Sequence, residues 1–145
     1  MKVPEGTILL LVEDDRDDAL FFCRALAKQG YGFPVQIARD GVEATDYLEG
    51  KGIYADRGRH PVPTHVLLDL KLPKKSGLEI LAWMKASPDF RGTPVAILSS
   101  SGQASDVNRA HDLGVGCYWT KPSSFKELLV LIERIVQWMA GGPCG

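Results

Sequence analysis

The sequence predicts an α/β protein with a five-stranded parallel sheet and helices on both faces. Short apolar runs alternate with stretches of helical periodicity along the chain, which is typical of consecutive βα units. The first run, at 8–12, is five consecutive apolar residues, which indicates a strand buried on both faces. Several runs end directly in charged or hydroxyl residues. Because parallel sheets bind ligands at the carboxyl ends of their strands, these residues predict a site there.

The composition is that of one globular domain, expected to span 1–145 with a core of about 7–140. Hydrophobic residues make up 45% and the net charge is −1, so no nucleic-acid or membrane surface is expected. No segment has the pattern of a signal peptide or the length of a membrane span. Cys23, Cys117 and Cys144 form no metal or redox motif, and we interpret them as thiols in a reducing cytoplasm.

The first half of the chain is predicted to hold two strands and two helices. The strands are expected at 8–12 and 33–38, the first helix at 16–29, and a second from its cap at Asp40 through Leu48. The stretch 49–63 is rich in glycine and proline, and we interpret it as a long surface loop without chemistry.

The second half is predicted to continue the same alternation. The third strand begins at His65 and ends at Asp69, and Ser76 is expected to cap a helix over 77–86 in a capping box. The remaining predictions are a strand at 94–99, a helix at 104–113, a strand at 116–120, a last helix from a cap at Ser123 to about 140, and a frayed tail at 141–145.

The ends of these strands carry a set of residues suited to phosphoryl chemistry. Glu13 and Asp14 follow the first strand, Asp69 the third, Ser99 closes the fourth and Lys121 follows the fifth. Clustered carboxylates repel one another and call for a cation, and a set of hard oxygens selects Mg²⁺. A lysine and a hydroxyl beside that ion suit an incoming phosphoryl group. Aspartate forms acyl phosphates, so the nucleophile is expected to be a carboxylate.

Five motifs together resemble the response-regulator receiver domain. They are ILLLVEDD at 8–15, LLDLKLP at 67–73, SG at 76–77, SS at 99–100 and TKP at 120–122. The resemblance covers nearly the whole chain and implies a flavodoxin-like sheet with strand order 2-1-3-4-5. It also implies that a kinase phosphohistidine is the phosphoryl donor.

Carried over by position, the resemblance assigns roles to individual residues. Asp69 corresponds to the phosphoacceptor, and Lys121 to the lysine that pairs with the phosphoryl group, with a cis bond to Pro122. The metal ligands would be Glu13, Asp14, Asp69 and the backbone carbonyl of Lys71. The switch residues would be Ser99 and Tyr118, although Tyr118 also fits ordinary packing in an edge strand.

A closer resemblance is to stand-alone regulators that partner bacterial phytochrome histidine kinases. It rests on Tyr47-Leu48, Tyr54-Ala55-Asp56-Arg57, Pro61 and Pro63, together with the motif around Asp69. The implied protein is a cytoplasmic, single-domain response regulator. It would signal through the surface of the fourth helix, fifth strand and fifth helix, without an output domain. Beyond promoting its own phosphorylation and dephosphorylation, it would not be an enzyme.

Three apolar residues are candidates for partner contacts. Phe21 points away from the apolar stripe of the first helix, which favours either a kinase contact or a cover for a neighbouring residue. On the last helix, Leu131 and Trp138 stand seven residues apart beside the core stripe. We predict that they form a homodimer interface; the alternative is that Trp138 folds back over the first helix or the tail within its own chain.

Three other functions fit parts of the pattern. A phosphatase of the haloacid-dehalogenase type would carry its nucleophile after the first strand, where this chain has Glu13. A flavin carrier would meet a rim of carboxylates that repels the flavin phosphate. A scaffold that works without phosphorylation would not need the complete acidic set.

Overall fold

The computed structural model describes residues 3–144, which form one five-stranded parallel sheet. The strands are β1 (Leu9–Val12), β2 (Val35–Ala38), β3 (His65–Leu68), β4 (Val95–Ser99) and β5 (Cys117–Thr120). Their order in the sheet is β2-β1-β3-β4-β5. The predicted sheet and the strand order implied by the resemblance are therefore confirmed. Four strands are one or two residues shorter at their starts, and β3 is one residue shorter at its end.

Five helices cover the two faces of the sheet. They are α1 (Arg16–Lys28), α2 (Gly41–Glu49), α3 (Gly77–Ala86), α4 (Ala104–Asp112) and α5 (Phe125–Met139). Alternate strand residues point to opposite faces, so the core has two layers. Leu9 and Leu11 of β1 pack with α1 and α5, whereas Leu10 and Val12 pack with α2, α3 and α4. Among the described residues, no helix is long and apolar enough to span a bilayer.

Side-chain caps fix where the helices begin, and through them where the loops of the site end. The side chains of Asp15, Asp40 and Ser76 accept hydrogen bonds from backbone N–H groups in the first turns of α1, α2 and α3. The predicted cap of the last helix is one residue off. Ser124 accepts from the N–H of Glu127, while Ser123 bonds to the Glu127 carboxylate. The sequence offers both serines, and only the backbone conformation distinguishes them.

The long loop after α2 is ordered by one arginine. A short 3-10 helix at Gly52–Ala55 precedes Arg57, whose guanidinium donates to the carbonyls of Tyr47 and Leu48, both at 2.9 Å. These carbonyls belong to the last turn of α2, where helix carbonyls lack the usual partner four residues on; that of Tyr47 also accepts from the N–H of Gly50 at 3.1 Å. The loop therefore caps the C-terminus of α2 through the Arg57 side chain, a role that the composition of the loop does not reveal.

The predicted surface pair on the last helix is wrong. Leu131 and Trp138 are 7% and 9% exposed and belong to the core. The Trp138 ring packs edge-on against His65 at 5.3 Å and against Trp119 at 6.0 Å. The buried arc of α5 therefore includes the side of the helix that carries Leu131 and Trp138, and Phe125 at the start of the helix is 40% exposed. The premise of the predicted dimer face therefore fails. Trp138 is buried within its own chain, as the alternative requires, but its ring packs against β3 and β5, where the alternative places it over the first helix or the tail.

Two expectations about the end of the chain also need correction. Cys117 and Cys144 form a disulfide, so only Cys23 of the three cysteines is free, and the tail is tied to β5 instead of frayed. A separation of 27 residues gives no sign of this contact, which exists only because α5 returns to the start of β5.

The predicted cis bond before Pro122 is also wrong. No peptide bond between residues 3 and 144 is cis, so the bond before Pro122 is trans, the more stable form of most X–Pro bonds.

Candidate functional site

Backbone hydrogen bonds continue the sheet one residue past several strands and align the polar groups that follow. The N–H of Glu13 donates to Ala38 at 2.9 Å, and that of Asp69 donates to Val12 at 3.1 Å. On the other side, the N–H of Lys121 donates to Ser99 at 2.8 Å. Because each group directly follows or closes a strand, all of them meet at the carboxyl edge of the sheet, as the sequence predicts.

Lys121 is the centre of this edge. Its Nζ lies 2.7 Å from Glu13 Oε1, 2.9 Å from Asp69 Oδ2 and 2.9 Å from Asp18 Oδ2. Burial opposes the ammonium charge, but the hydrogen bonds to Glu13, Asp69 and Asp18 outweigh it and raise the pKa of Lys121. The lysine therefore stays charged and neutralises carboxylates that would otherwise repel one another.

The Asp69 carboxylate is buried and held on both oxygens. Ser99 Oγ donates to Asp69 Oδ1 at 2.8 Å, and the backbone N–H of Lys71 donates to the same oxygen at 3.1 Å. The other oxygen faces Lys121. The start of α3 packs directly beneath, and a Cβ at Gly77 would clash with the Asp69 carbonyl oxygen, so the loop can close over Asp69 only with glycine there.

The acidic cluster fits a hard divalent cation. Carboxylate oxygens of Glu13, Asp14 and Asp69 all lie within 4.8 Å of one another, and such oxygens are the ligands that Mg²⁺ prefers. Glu13 is buried and Asp14 is exposed. Burial raises the pKa of Glu13, although the Lys121 ammonium and the Asp15 N–H act in the opposite direction. A bound cation would favour its charged form.

A chain of hydrogen bonds runs from Asp69 to the aromatic residue of β5. Ser99 Oγ, which donates to Asp69, accepts from the N–H of Ser101 at 3.3 Å. The carbonyl of Ser101 accepts from the Tyr118 hydroxyl at 2.5 Å, and its Oγ donates to Asp106 of α4 at 2.6 Å. Burial raises the pKa of the Tyr118 phenol, so it remains a donor at neutral pH. The Asp69 carboxylate is thereby linked to α4 and β5.

Most of the predicted site residues meet at this edge, and of the three predicted interface residues only Phe21 lies near it. Phe21 is 44% exposed and lines a groove of about 280 Å³ beside Lys121, so its predicted direction away from the core is confirmed. Leu131 and Trp138 lie in the core instead. Sequence reasoning missed Asp18, although its position one turn after Asp14 could have placed it at the same edge.

The comparisons with known proteins agree with this geometry. Residues 9–133 match the family described as "Response regulator receiver domain". The chain belongs to the response regulator receiver family. The match spans all five strands and the residues at their carboxyl ends, so the family identified from the motifs is confirmed.

Individual relatives include stand-alone regulators. Response regulator Rcp1 of Synechocystis sp. is 37% identical over 88% of this chain and 85% of its own length. The probable methanogenesis regulatory protein FilR2 of Methanothrix harundinacea is also 37% identical, over 97% of this chain and 88% of its own.

The fold is shared with solved structures of the same kind. The phosphorylated cyanobacterial phytochrome response regulator RcpA superposes with a TM-score of 0.84 at 37% identity, over 92% of this chain and 93% of that chain. A Mn²⁺-bound form of Rcp1 superposes with a TM-score of 0.82 at 36% identity, over 92% and 95% of the two chains. The likeness to phytochrome response regulators expected from the sequence is confirmed.

Proposed function

We propose that the protein is a response regulator that takes a phosphoryl group from a histidine kinase onto Asp69. The observation that carries the proposal is the position of the Asp69 carboxylate, buried at the carboxyl edge between Ser99 and Lys121 and beside two further acids. In the reaction, an oxygen of Asp69 bonds to phosphorus while the phosphorus–nitrogen bond of the phosphohistidine breaks. The bonding electrons leave with the imidazole, which takes up a proton.

The residues around Asp69 suit a transfer that depends on positioning and charge neutralisation. Lys121 and the Ser99 hydroxyl can donate to the oxygens of the transferred group, as charge builds up there. Glu13, Asp14 and Asp69, with the backbone carbonyl of Lys71, would hold Mg²⁺, which supplies further neutralisation of the phosphoryl oxygens when bound. The existence of a Mn²⁺-bound form of the relative Rcp1 supports the binding of a divalent cation.

We further propose that the output is a change in the surface of α4, β5 and α5. The hydrogen bonds from Asp69 through Ser99 and Ser101 to Tyr118 and Asp106 support this proposal, because any new bond made by Ser99 competes with the bonds it now makes. Tyr118 is half-buried in β5, so a change at its hydroxyl alters the edge strand of the sheet.

For the donor, we propose a sensor histidine kinase of the phytochrome type. The likeness to RcpA, a cyanobacterial phytochrome response regulator, supports this class. We propose that the kinase docks at the groove between α1 and α5, because Phe21 and Phe125 are exposed there beside Lys121. A homodimer stays a prediction, and no surface is now assigned to it.

The test is phosphorylation by a small acyl-phosphate donor. Wild-type protein, with Mg²⁺ present, is expected to gain the mass of one phosphoryl group, and Asp69→Asn is expected to gain none, because an amide cannot form the acyl phosphate. Chelating the cation with EDTA should strongly slow the wild-type reaction. Labelling of Asp69→Asn at the wild-type rate would contradict the proposal.

A further inference from the structure

The ammonium group of Lys121 has no free donor. A lysine ammonium carries three N–H donors, and the three oxygens within 2.9 Å of Nζ belong to Glu13, Asp18 and Asp69. Two of these acids are the expected partners at strand ends. The third, Asp18, lies in the first turn of α1, and its contact with Lys121 is an addition to the metal and phosphoryl residues.

The three partners differ in how easily water can replace the lysine. The side chains of Glu13 and Asp69 are each only 5% exposed, whereas that of Asp18 is 44% exposed. Separating a buried ion pair leaves a charge without solvent and costs much more than separating an exposed one. When Lys121 must donate to a new oxygen, Asp18 is therefore the partner that it gives up at the smallest cost.

Asp18 also stands where a phosphoryl donor would approach. Together with Phe21, Lys121 and Phe125, it lines the groove that leads from the surface of α1 to the carboxyl edge of the sheet. A carboxylate there acts on an incoming group in two ways. It accepts a hydrogen bond from one of the three N–H groups of Lys121, and its negative charge repels the negative oxygens of the donor.

We propose that Asp18 is a positioning residue that holds Lys121 before phosphorylation and competes with the phosphoryl group for it. This inference deepens the proposed function and rests on it. On arrival of the phosphoryl group, the hydrogen bond from Lys121 to Asp18 is exchanged for one to a phosphoryl oxygen, and water solvates the freed carboxylate. Asp18 thereby slows phosphorylation by free anionic donors and keeps the lysine in place until a group arrives that can replace it.

The test compares three variants with wild type: Asp18→Asn, Asp18→Glu and Asp17→Asn. Asp17 is the matched control, since it occupies the same first turn, has its N–H bonded to Asp15 just as Asp18 does, and makes no ion pair within residues 3–144. Two quantities are measured with saturating Mg²⁺. One is the initial rate of labelling by an acyl-phosphate donor, and the other is the dissociation constant of beryllofluoride, which binds as a phosphoryl mimic.

Asp18→Asn is expected to label about threefold faster and to bind beryllofluoride about threefold more tightly, the size that a partly exposed ion pair implies. Asp18→Glu should restore values near wild type, and Asp17→Asn should change neither. Replacing a residue that only supported the fold would slow labelling and weaken beryllofluoride binding, so faster labelling together with tighter binding is specific to competition. Thermal unfolding of each variant confirms that the proteins compared are folded.

Each outcome has a separate meaning. If wild type labels on Asp69 but Asp18→Asn is equal to or slower than wild type, this inference is overturned and the proposed function stands. If Asp17→Asn increases the labelling rate and the affinity for beryllofluoride as much as Asp18→Asn does, the cause is general electrostatic repulsion. The proposed competition for Lys121 would then be contradicted. If wild type takes up no phosphoryl group, the proposed function fails and this inference fails with it.

Discussion

The two ends of the sheet are made of the same five strands but differ in chemistry. At the carboxyl end, Glu13, Asp69 and Lys121 place three charges in contact at the edge of the core. At the amino end, Trp138 closes the core against His65, and the Cys117–Cys144 disulfide ties the tail to β5. Buried charges are costly and seldom add stability, whereas apolar packing and a cross-link do.

The contrast indicates that chemistry and stability are supplied from opposite ends of the sheet. Changes at the amino end should therefore lower the free energy of unfolding and leave phosphorylation intact. Changes at exposed residues of the carboxyl end should alter phosphorylation and leave the free energy of unfolding near that of wild type. A variant that moves both properties together would break the comparison.

Trp138→Ala is expected to have the largest effect on stability of the variants considered. Removing a buried tryptophan leaves a cavity between α5 and the sheet, and we expect a loss of about 3–5 kcal/mol in the free energy of unfolding. Urea unfolding measures it, with the exposed Val130→Ala on the same helix as a control that should change little. Below its unfolding transition, Trp138→Ala should still label at close to the wild-type rate; a large loss of labelling while folded would contradict the separation.

Cys144→Ser should lower the free energy of unfolding somewhat less than Trp138→Ala does. The disulfide spans 27 residues, and opening a loop of that size costs about 3.5 kcal/mol in the chain-entropy account. Urea unfolding under non-reducing conditions measures the loss, with Cys23→Ser as the control for removing a free thiol. A reductant should bring wild type down to the stability of Cys144→Ser. Equal stability of wild type and variant in the absence of reductant would show that the cross-link does not stabilise the fold.

The Asp14→Asn variant tests the carboxyl end of the sheet. Removing a charged metal ligand should raise the Mg²⁺ concentration for half-maximal labelling at least about tenfold, because Glu13 and Asp69 remain as the only carboxylates of the cluster. Asp14 is exposed, so the free energy of unfolding should stay near wild type. A Mg²⁺ titration of the labelling rate measures the shift. An unchanged titration curve would remove Asp14 from the metal site.

Phe21→Ala is expected to have the smallest effect, and only with a protein donor. Truncating an exposed aromatic that contacts a kinase should slow phosphotransfer about fivefold, and labelling by the small donor should be unaffected. Leu20→Ala is the matched control, because Leu20 is equally exposed on the same helix but does not line the groove. If both donors slow equally, the cause is damage to the fold instead of lost docking.

The carboxyl end of the sheet could be predicted from the sequence, and the amino end could not. Each residue of the site directly follows or closes a short apolar run, so the parallel sheet brings Glu13, Asp69 and Lys121 together without further information. Asp18 was missed because it lies inside a helix, where an acid in the first turn also serves the helix dipole.

The amino end depends on how α5 rotates and returns, which local patterns do not encode. Seven-residue spacing placed Leu131 and Trp138 beside the core stripe, but the large indole ring finds a place between His65 and Trp119 and turns that side of the helix inward. The return of the chain after α5 then brings Cys144 to Cys117. Both contacts join segments far apart in sequence, so no spacing rule predicts them.

The most direct measurement of the central claim is to identify the residue that carries the phosphoryl group. Wild-type protein labelled in the presence of Mg²⁺ is treated with borohydride, which reduces an aspartyl phosphate to homoserine, and is then mapped by peptide mass spectrometry. We predict homoserine at position 69 and at no other acid of the edge, including Glu13, Asp14 and Asp18. Homoserine at a different position, or a phosphoryl group that resists borohydride, would contradict the assignment of Asp69.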